Sequence, residues 1–96
     1  MIMHVVMWRF KEENKRENMD IFKNMLLELP PIIKEIKHME VGKEVNLDYG
    51  NFDMVLVSEF KSMEDLEKYK ENPAHVRVSN FCKTIRTERA CVDYEI

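Results

Sequence analysis

Glycine and cysteine are both scarce in this sequence, and each scarcity removes a class of function. Gly42 and Gly50 are the only glycines, so no glycine-rich loop exists to wrap a nucleotide phosphate. Cys82 and Cys91 lie nine positions apart, without the paired spacing of a zinc or disulfide-exchange motif. We expect both to be free thiols in a reducing compartment, and apolar packing is a simpler role for them than redox chemistry.

The sequence also lacks a long apolar run and a strong excess of one charge. The apolar stretch at residues 1–10 is too short to span a membrane, and it shows neither a basic leader nor a small-residue cleavage site. The net charge is −3, and Lys and Arg are scattered among Asp and Glu instead of forming a basic stripe. We therefore expect a cytoplasmic protein that binds neither membranes nor nucleic acid.

Length and composition indicate one folded domain. The chain has 96 residues, which is room for a single domain spanning residues 1–96. Its 45% apolar and 34% charged residues are typical of a globular protein and not of a disordered one.

Strands are predicted where apolar residues alternate with a period of two. Such stretches occupy residues 2–10, 38–45, 52–60 and 88–95. In the second stretch, Met39, Val41 and Val45 are expected to face inward. The turn-forming residues at 46–51 predict a hairpin loop between the second and third strands.

Helices are predicted where apolar residues recur every three or four positions. The first covers residues 14–29, and Pro30-Pro31 ends it because proline lacks the backbone N–H that a helix needs. Ser62, with an acidic residue three positions later, resembles the cap of a second helix, which stops near Asn72. The proline that follows opens a third helix at residues 73–85.

The order strand, helix, strand, strand, helix, helix, strand is that of a ferredoxin-like α+β fold. Right-handed crossovers give a four-stranded antiparallel sheet of order 4-1-3-2, with strands 1 and 3 in the centre. Those two strands are apolar on both sides, whereas strands 2 and 4 carry charges on one side, as edge strands do.

The helices of such a fold cover only one face of the sheet. The central strands would leave a contiguous apolar patch on the other face, which marks an interaction surface. We expect a second copy to cover it, because two-fold homodimers are the commonest oligomers. The predicted assembly is a dimeric α/β barrel, and a different protein partner is the alternative.

Three stretches of the sequence resemble the stress-responsive A/B barrel (Dabb) family. They are His4 to Phe10, the segment from Tyr69 through Asn72-Pro73-Ala74-His75-Val76, and Val92 to Ile96. The resemblance runs across essentially the whole chain and implies a dimeric α+β barrel. It implies no single function, because the members include plant stress proteins, a polyketide cyclase that works by acid–base chemistry, and many uncharacterised bacterial proteins.

His75 is the first candidate for chemistry. It lies in the first turn of the third helix, where the helix dipole disfavours the imidazolium form and leaves a neutral base. Tyr69, on the preceding helix, has a hydroxyl that could orient a carbonyl or a phenol. The resemblance implies that both residues match catalytic positions of the cyclase-like members.

The predicted ligand pocket is lined by residues of the two central strands. His4, Val6 and Trp8 share one side of the first strand, and Met54 and Leu56 share one side of the third. The resemblance implies that His4 matches a pocket histidine. The sequence departs from the cyclase pattern at Met54, which replaces a further histidine, and near Met25, where the cyclase has a tyrosine.

No cofactor and no metal site built from side chains are predicted. The three histidines fall on separate elements and lack the short spacing of zinc ligands. Some members of the family that the chain resembles bind a divalent ion through backbone carbonyls near the end of the first helix. Residues 30–36 occupy that region, but carbonyl ligands leave no side-chain signature, so the sequence neither predicts nor excludes the ion.

Two classes of function remain open from the sequence. The first is a homodimeric protein that binds a small apolar or aromatic ligand, in which the histidines are structural or contact the ligand. The second is a cofactorless enzyme, similar to polyketide cyclases, isomerases or monooxygenases, that uses His75 as general base with Tyr69. A haem-degrading protein is a remote third, because Trp8 and His75 are suitable residue types but match no motif.

Overall fold

All seven predicted elements are present in the computed structural model, which describes residues 1–46 and 50–96. In chain order they are β1 (Ile2–Phe10), α1 (Lys15–Leu27), β2 (His38–Lys43), β3 (Met54–Phe60), α2 (Met63–Glu71), α3 (Pro73–Ile85) and β4 (Arg86–Glu95). The strands form one antiparallel sheet of order β2-β3-β1-β4, which is the predicted order read from its other edge. The ferredoxin-like fold class is therefore confirmed. Residues 47–49 of the predicted hairpin loop lie outside the described residues.

Side-chain caps determine where α2 and α3 begin. The Ser62 hydroxyl accepts a hydrogen bond from the backbone N–H of Asp65 at 3.2 Å, as the sequence predicts. The side-chain carbonyl of Asn72 accepts one from the backbone N–H of Ala74 at 2.9 Å, and Pro73 is the first residue of α3. The junction between α2 and α3 is therefore held by a cap. This junction lies between the candidate residues Tyr69 on α2 and His75 on α3.

Several boundaries differ from the prediction. β2 ends at Lys43, the last residue that pairs with β3, and Val45, expected to face inward, is 94% exposed. β3 begins two residues later than predicted. β4 begins two residues earlier, at Arg86, because its pairing with β1 continues to Phe10 across a register shift. α1 ends at Leu27, before the proline pair that the sequence marks as its end.

The core lies between the helices and one face of the sheet. On β1 the even-numbered residues from Ile2 to Phe10 are buried, while the odd-numbered ones stay accessible in part, because side chains alternate across a strand. β3 shows the same alternation. Trp8 packs edge-on against Phe22 of α1, with ring centroids 4.8 Å apart. None of the helices in the described ranges is long and apolar enough to cross a membrane.

The centre of the opposite face of the sheet is apolar, whereas charged residues such as Glu40 and Glu59 lie toward its edges. It carries the accessible side of β1, β3 and β4, namely Met3, Val5, Met7, Val55, Val57, Ala90, Val92 and Tyr94. We call this surface the open face. Val5 lies at its centre, paired across the sheet with Val57 on one side and Val92 on the other. The predicted apolar patch is therefore present.

Removing the cap of α3 should destabilise the fold. Asn72→Ala takes away the acceptor for the Ala74 N–H, and such a loss typically costs about 1 kcal/mol. Urea denaturation at one protein concentration would measure the change in the free energy of unfolding. Asn80→Ala, at an exposed position within α3, is the matched control and should cost less. Equal stability of Asn72→Ala and the unchanged protein would contradict the role of the cap.

Candidate functional site

A small cavity lies between the helices and the sheet, on the side of strand β4. It encloses about 60 Å³. Its apolar lining consists of Val6, Trp8, Phe22, Leu26, Leu56 and Val78, and its polar lining consists of His4, Tyr69, His75, Ser79, Cys82, Arg86 and Arg89. A cavity of about 150 Å³ holds a benzene molecule, so in this conformation the cavity accepts a group of only a few heavy atoms.

His4 enters the cavity from the centre of the sheet. Its side chain is 3% exposed, and its Nδ1 donates a hydrogen bond of 2.5 Å to a carboxylate oxygen of Asp93, its cross-strand partner on β4. Burial lowers the pKa of His4 below its ordinary value, and the Asp93 carboxylate opposes this shift without reversing it. The ring is therefore neutral near pH 7, with its orientation fixed by the carboxylate.

His75 faces His4 from the helical side of the cavity. Its Nδ1 lies 3.1 Å from the backbone oxygen of Lys70, and because a carbonyl only accepts, Nδ1 carries the proton. Burial lowers the pKa of His75, and the hydrogen bond to Lys70 opposes the shift in part. The imidazole is therefore neutral near pH 7 with Nε2 unprotonated, which is the state that a general base or a hydrogen-bond acceptor requires.

Tyr69 lies between the two histidines and has no hydrogen bond. Its ring centroid is 4.3 Å from that of His75 and 6.2 Å from that of His4. The residue is 0% exposed, and its hydroxyl has no partner among residues 1–46 and 50–96. Burial raises the pKa of Tyr69, so the phenol keeps its proton. A buried hydroxyl without a partner costs about 1–3 kcal/mol, so this one requires an acceptor from outside the described residues, such as water or a bound molecule.

The structure brings together most of the residues that the sequence singles out. His4, Tyr69 and His75 meet in one cavity, and Val6, Trp8 and Leu56 line it. Met54 is buried elsewhere in the core, as the cross-strand partner of Trp8, and is not part of this lining.

Four polar residues of the site were not predicted from the sequence. Asp93 holds His4, and Ser79, Arg86 and Arg89 line the cavity. Three of the four lie on β4, which the sequence describes only as a charged edge strand. The register of β4 against β1 would have found Asp93, because it is directly opposite His4.

The two thiols are protonated at neutral pH. Burial raises the pKa of Cys82 to about 11, and the residue packs in the core as expected. Cys91 is exposed, so the expectation of a buried packing role is wrong for it. Burial of the thiol and the neighbouring Asp93 carboxylate raise the pKa of Cys91.

One group of three side chains in the described part of the chain has the composition of a metal site. The ligand atoms of His4, Cys91 and Asp93 all lie within 4.8 Å of one another. In the free protein His4 is hydrogen-bonded to Asp93, and the Cys91 sulfur lies 3.7 Å from both His4 Nδ1 and the Asp93 carboxylate. Metal binding would require the loss of the protons from His4 Nδ1 and from the thiol.

Comparison with known proteins identifies the family. Residues 2–96 match the model of the stress responsive A/B barrel domain. The chain belongs to this family. No curated protein matches the sequence.

Solved structures of similar fold include proteins of different kinds. A dimeric protein of unknown function from Bacteroides fragilis is 32% identical, with a TM-score of 0.88, and the match covers 99% of this chain and 95% of that one. A dimeric ferredoxin-like protein of unknown function from Thermobifida fusca is 21% identical, with a TM-score of 0.90 and 99% and 90% of the two chains covered. A hydroxynitrile lyase from Passiflora edulis is 19% identical, with a TM-score of 0.87 and 99% and 92% covered. At these last two identities the likeness shows the fold alone.

The buried histidines should make the protein less stable in mild acid. Because the pKa of His75 is lower in the folded than in the unfolded chain, the unfolded state binds more protons below about pH 6.5. The free energy of unfolding should therefore decrease between pH 7.5 and 5.5, and His75→Gln should make this decrease smaller. Urea denaturation at both pH values would measure it.

The control for this experiment is His38→Gln, which replaces an exposed histidine on β2 outside the cavity. The contribution of His75 is the part of the decrease that His75→Gln removes and His38→Gln does not. An equal decrease in the His75→Gln variant and the unchanged protein would show that His75 does not resist protonation in the folded state.

Proposed function

We propose that this protein is a homodimer in which each protomer binds a small molecule in the cavity between the sheet and the helices. The observation that carries the proposal is the Tyr69 hydroxyl, which is fully buried at the cavity and has no partner among the described residues. Buried polar groups in folded proteins are nearly always hydrogen-bonded. A ligand oxygen or nitrogen would supply the missing acceptor.

The neighbouring side chains support ligand recognition through hydrogen bonds. Tyr69 offers a donor, because its phenol is protonated. His75 offers an acceptor, because its Nδ1 proton is directed to Lys70. The remaining wall is apolar, with Trp8 and Phe22 packed against each other. An apolar wall with a few fixed polar groups is the usual composition of a small-molecule site, and the volume limits the buried part of the ligand to a few heavy atoms.

The homodimer is supported by the open face. Val5, Val57 and Val92 lie side by side on it, and Val92 is 55% exposed in the protomer. A flat apolar surface across three strands is stabilised when a partner removes it from water. The proteins of similar fold from Bacteroides fragilis and Thermobifida fusca are described as dimeric, which favours the same assembly for this chain.

A charge at the centre of the open face should separate the protomers. Val57→Asp would bury a carboxylate against apolar side chains, which is strongly unfavourable, so we expect a monomer in sedimentation velocity at micromolar concentration. Val76→Asp is the control, because Val76 is exposed on α3 and away from the open face. The unchanged protein is measured beside both. A monomeric unchanged protein, or a dimeric Val57→Asp variant, would contradict this interface.

Removing the Tyr69 hydroxyl should have opposite effects on stability and on binding. Tyr69→Phe eliminates a buried donor without a partner, so the free protein should become about 1–3 kcal/mol more stable. The same change should weaken the binding of small neutral probes such as acetone and isobutyramide. The ring resonances of His4 and His75 would report binding in two-dimensional NMR titrations, with the exposed His38 ring as internal reference.

Thr87→Val, which removes an exposed hydroxyl outside both the cavity lining and the open face, is the control and should change neither quantity. A destabilised Tyr69→Phe variant would show that the hydroxyl is already satisfied in the free protein. The absence of any shift at both cavity histidines with every probe would contradict the proposed binding site.

The alternative is a cofactorless enzyme that uses His75 as general base with Tyr69. The observation that favours it is the protonation state of His75, whose Nε2 is free to take a proton near neutral pH. The two functions differ in the fate of the bound molecule. A binding protein leaves the ligand unchanged, whereas an enzyme converts it, and spectra of the ligand recorded over time distinguish the two.

A further inference from the structure

One exposed arginine of the cavity lining has no side-chain partner among the residues that the structure describes. Arg89 lies on β4 directly opposite Trp8, and its exposed side chain lines the cavity. Within the described ranges its guanidinium makes no hydrogen bond, ion pair or ring contact. Arg9, by contrast, is held by Glu88 at 3.1 Å and by the ring of Phe52 at 4.2 Å.

The second arginine of the lining is less accessible. Arg86 lies at the start of β4 and is half-buried near the thiol of Cys82, whereas Arg89 is exposed. Arg89 is thus the cationic group of the lining that is more open to pairing with a bound molecule. Guanidinium presents a planar pair of N–H donors, which matches the two oxygens of a carboxylate.

The electrostatic surroundings of the cavity favour a negative ligand. Burial is the main cause of the lowered pKa of His4 and His75, and the positive charges of Arg89 and Lys70 contribute to it. With both histidines neutral, the charged side chains that act on this space are Arg89 and Lys70, which are positive, and Asp93, which is negative. Asp93 is directed to His4, and it forms no ion pair with Arg89.

We propose that the ligand of this cavity is a small carboxylate, whose apolar body enters the cavity and whose carboxylate group pairs with Arg89 at the opening. The proposal rests on the proposed binding function and specifies the chemical class of the ligand. The volume of about 60 Å³ limits the enclosed body to a short or branched aliphatic group. Tyr69 remains available to a second polar atom of such a ligand, for example an oxygen on the carbon next to the carboxylate.

A pair of isosteric probes tests this proposal. Isobutyrate and isobutyramide have nearly the same size and shape and differ in charge at neutral pH. In NMR titrations at pH 7 and constant ionic strength, the ring resonances of His4 and His75 report occupancy of the cavity. We expect isobutyrate to bind about tenfold more tightly than isobutyramide or better, which is the usual gain from a charge-assisted bidentate contact.

Variants of Arg89 identify the residue responsible. Arg89→Gln should bind the two probes equally, and Arg89→Lys should recover only part of the preference, because an ammonium group lacks the planar pair of donors. Arg77→Gln, which removes an exposed arginine of α3 that is not in the lining, should keep the full preference. Because Arg89 is exposed, its replacement should leave the fold intact, and circular dichroism would check this.

The outcomes separate this proposal from the one on which it rests. Equal binding of both probes to the unchanged protein, or a preference for isobutyrate that survives Arg89→Gln, would overturn the carboxylate proposal and leave the binding site in place. Binding of neither probe would overturn both. A preference that is lost equally in Arg89→Gln and Arg77→Gln would indicate attraction by net charge alone and would also contradict a specific contact.

Discussion

The alternation of side chains along β1 is the constraint on which the rest of this structure depends. β1 is the inner strand that pairs with both β3 and β4, and each of its side chains points to one of two opposite faces. Its even-numbered residues, such as Val6 and Trp8, form the core and the floor of the cavity. Its odd-numbered residues, such as Val5 and Met7, form the open face. A shift of one residue in register would exchange these two sets, so one strand specifies both the proposed ligand site and the proposed dimer interface.

The cavity is a place where the fold tolerates polar groups that its core would otherwise exclude. His4 is buried but satisfied by Asp93, and His75 is satisfied by a backbone carbonyl. Tyr69 alone retains an unused hydroxyl among the described side chains. The two histidines are therefore held by the protein itself, whereas the tyrosine hydroxyl is the group that we propose a ligand would bind.

Periodicity and helix caps were sufficient to predict the fold and three polar residues of the site, namely His4, Tyr69 and His75. The Asn72 and Pro73 signals placed His75 in the first turn of α3, and Tyr69 followed from its position just before that junction. Alternation placed His4 on the buried side of β1. Arg89 and Asp93 could not be found in this way, because their roles depend on how β4 is aligned with β1, and no local pattern records that alignment. The sequence of an exposed edge strand such as β4 does not alternate strongly enough between apolar and polar residues to determine its register against β1.

The buried polar residues of the site and the exposed Arg89 lie on different parts of the fold, so the two groups can be changed independently. His4 is embedded in the core and hydrogen-bonded to Asp93, so a substitution there disturbs packing and costs stability. Arg89 lies on an exposed edge strand, where a substitution changes the charge at the opening and little else. Proteins of this fold could therefore keep the buried polar residues and differ in the residues of β4, so that one fold could serve different ligands. For this chain, the proposed carboxylate selectivity therefore depends on the charge at position 89 more than on the identity of the buried residues.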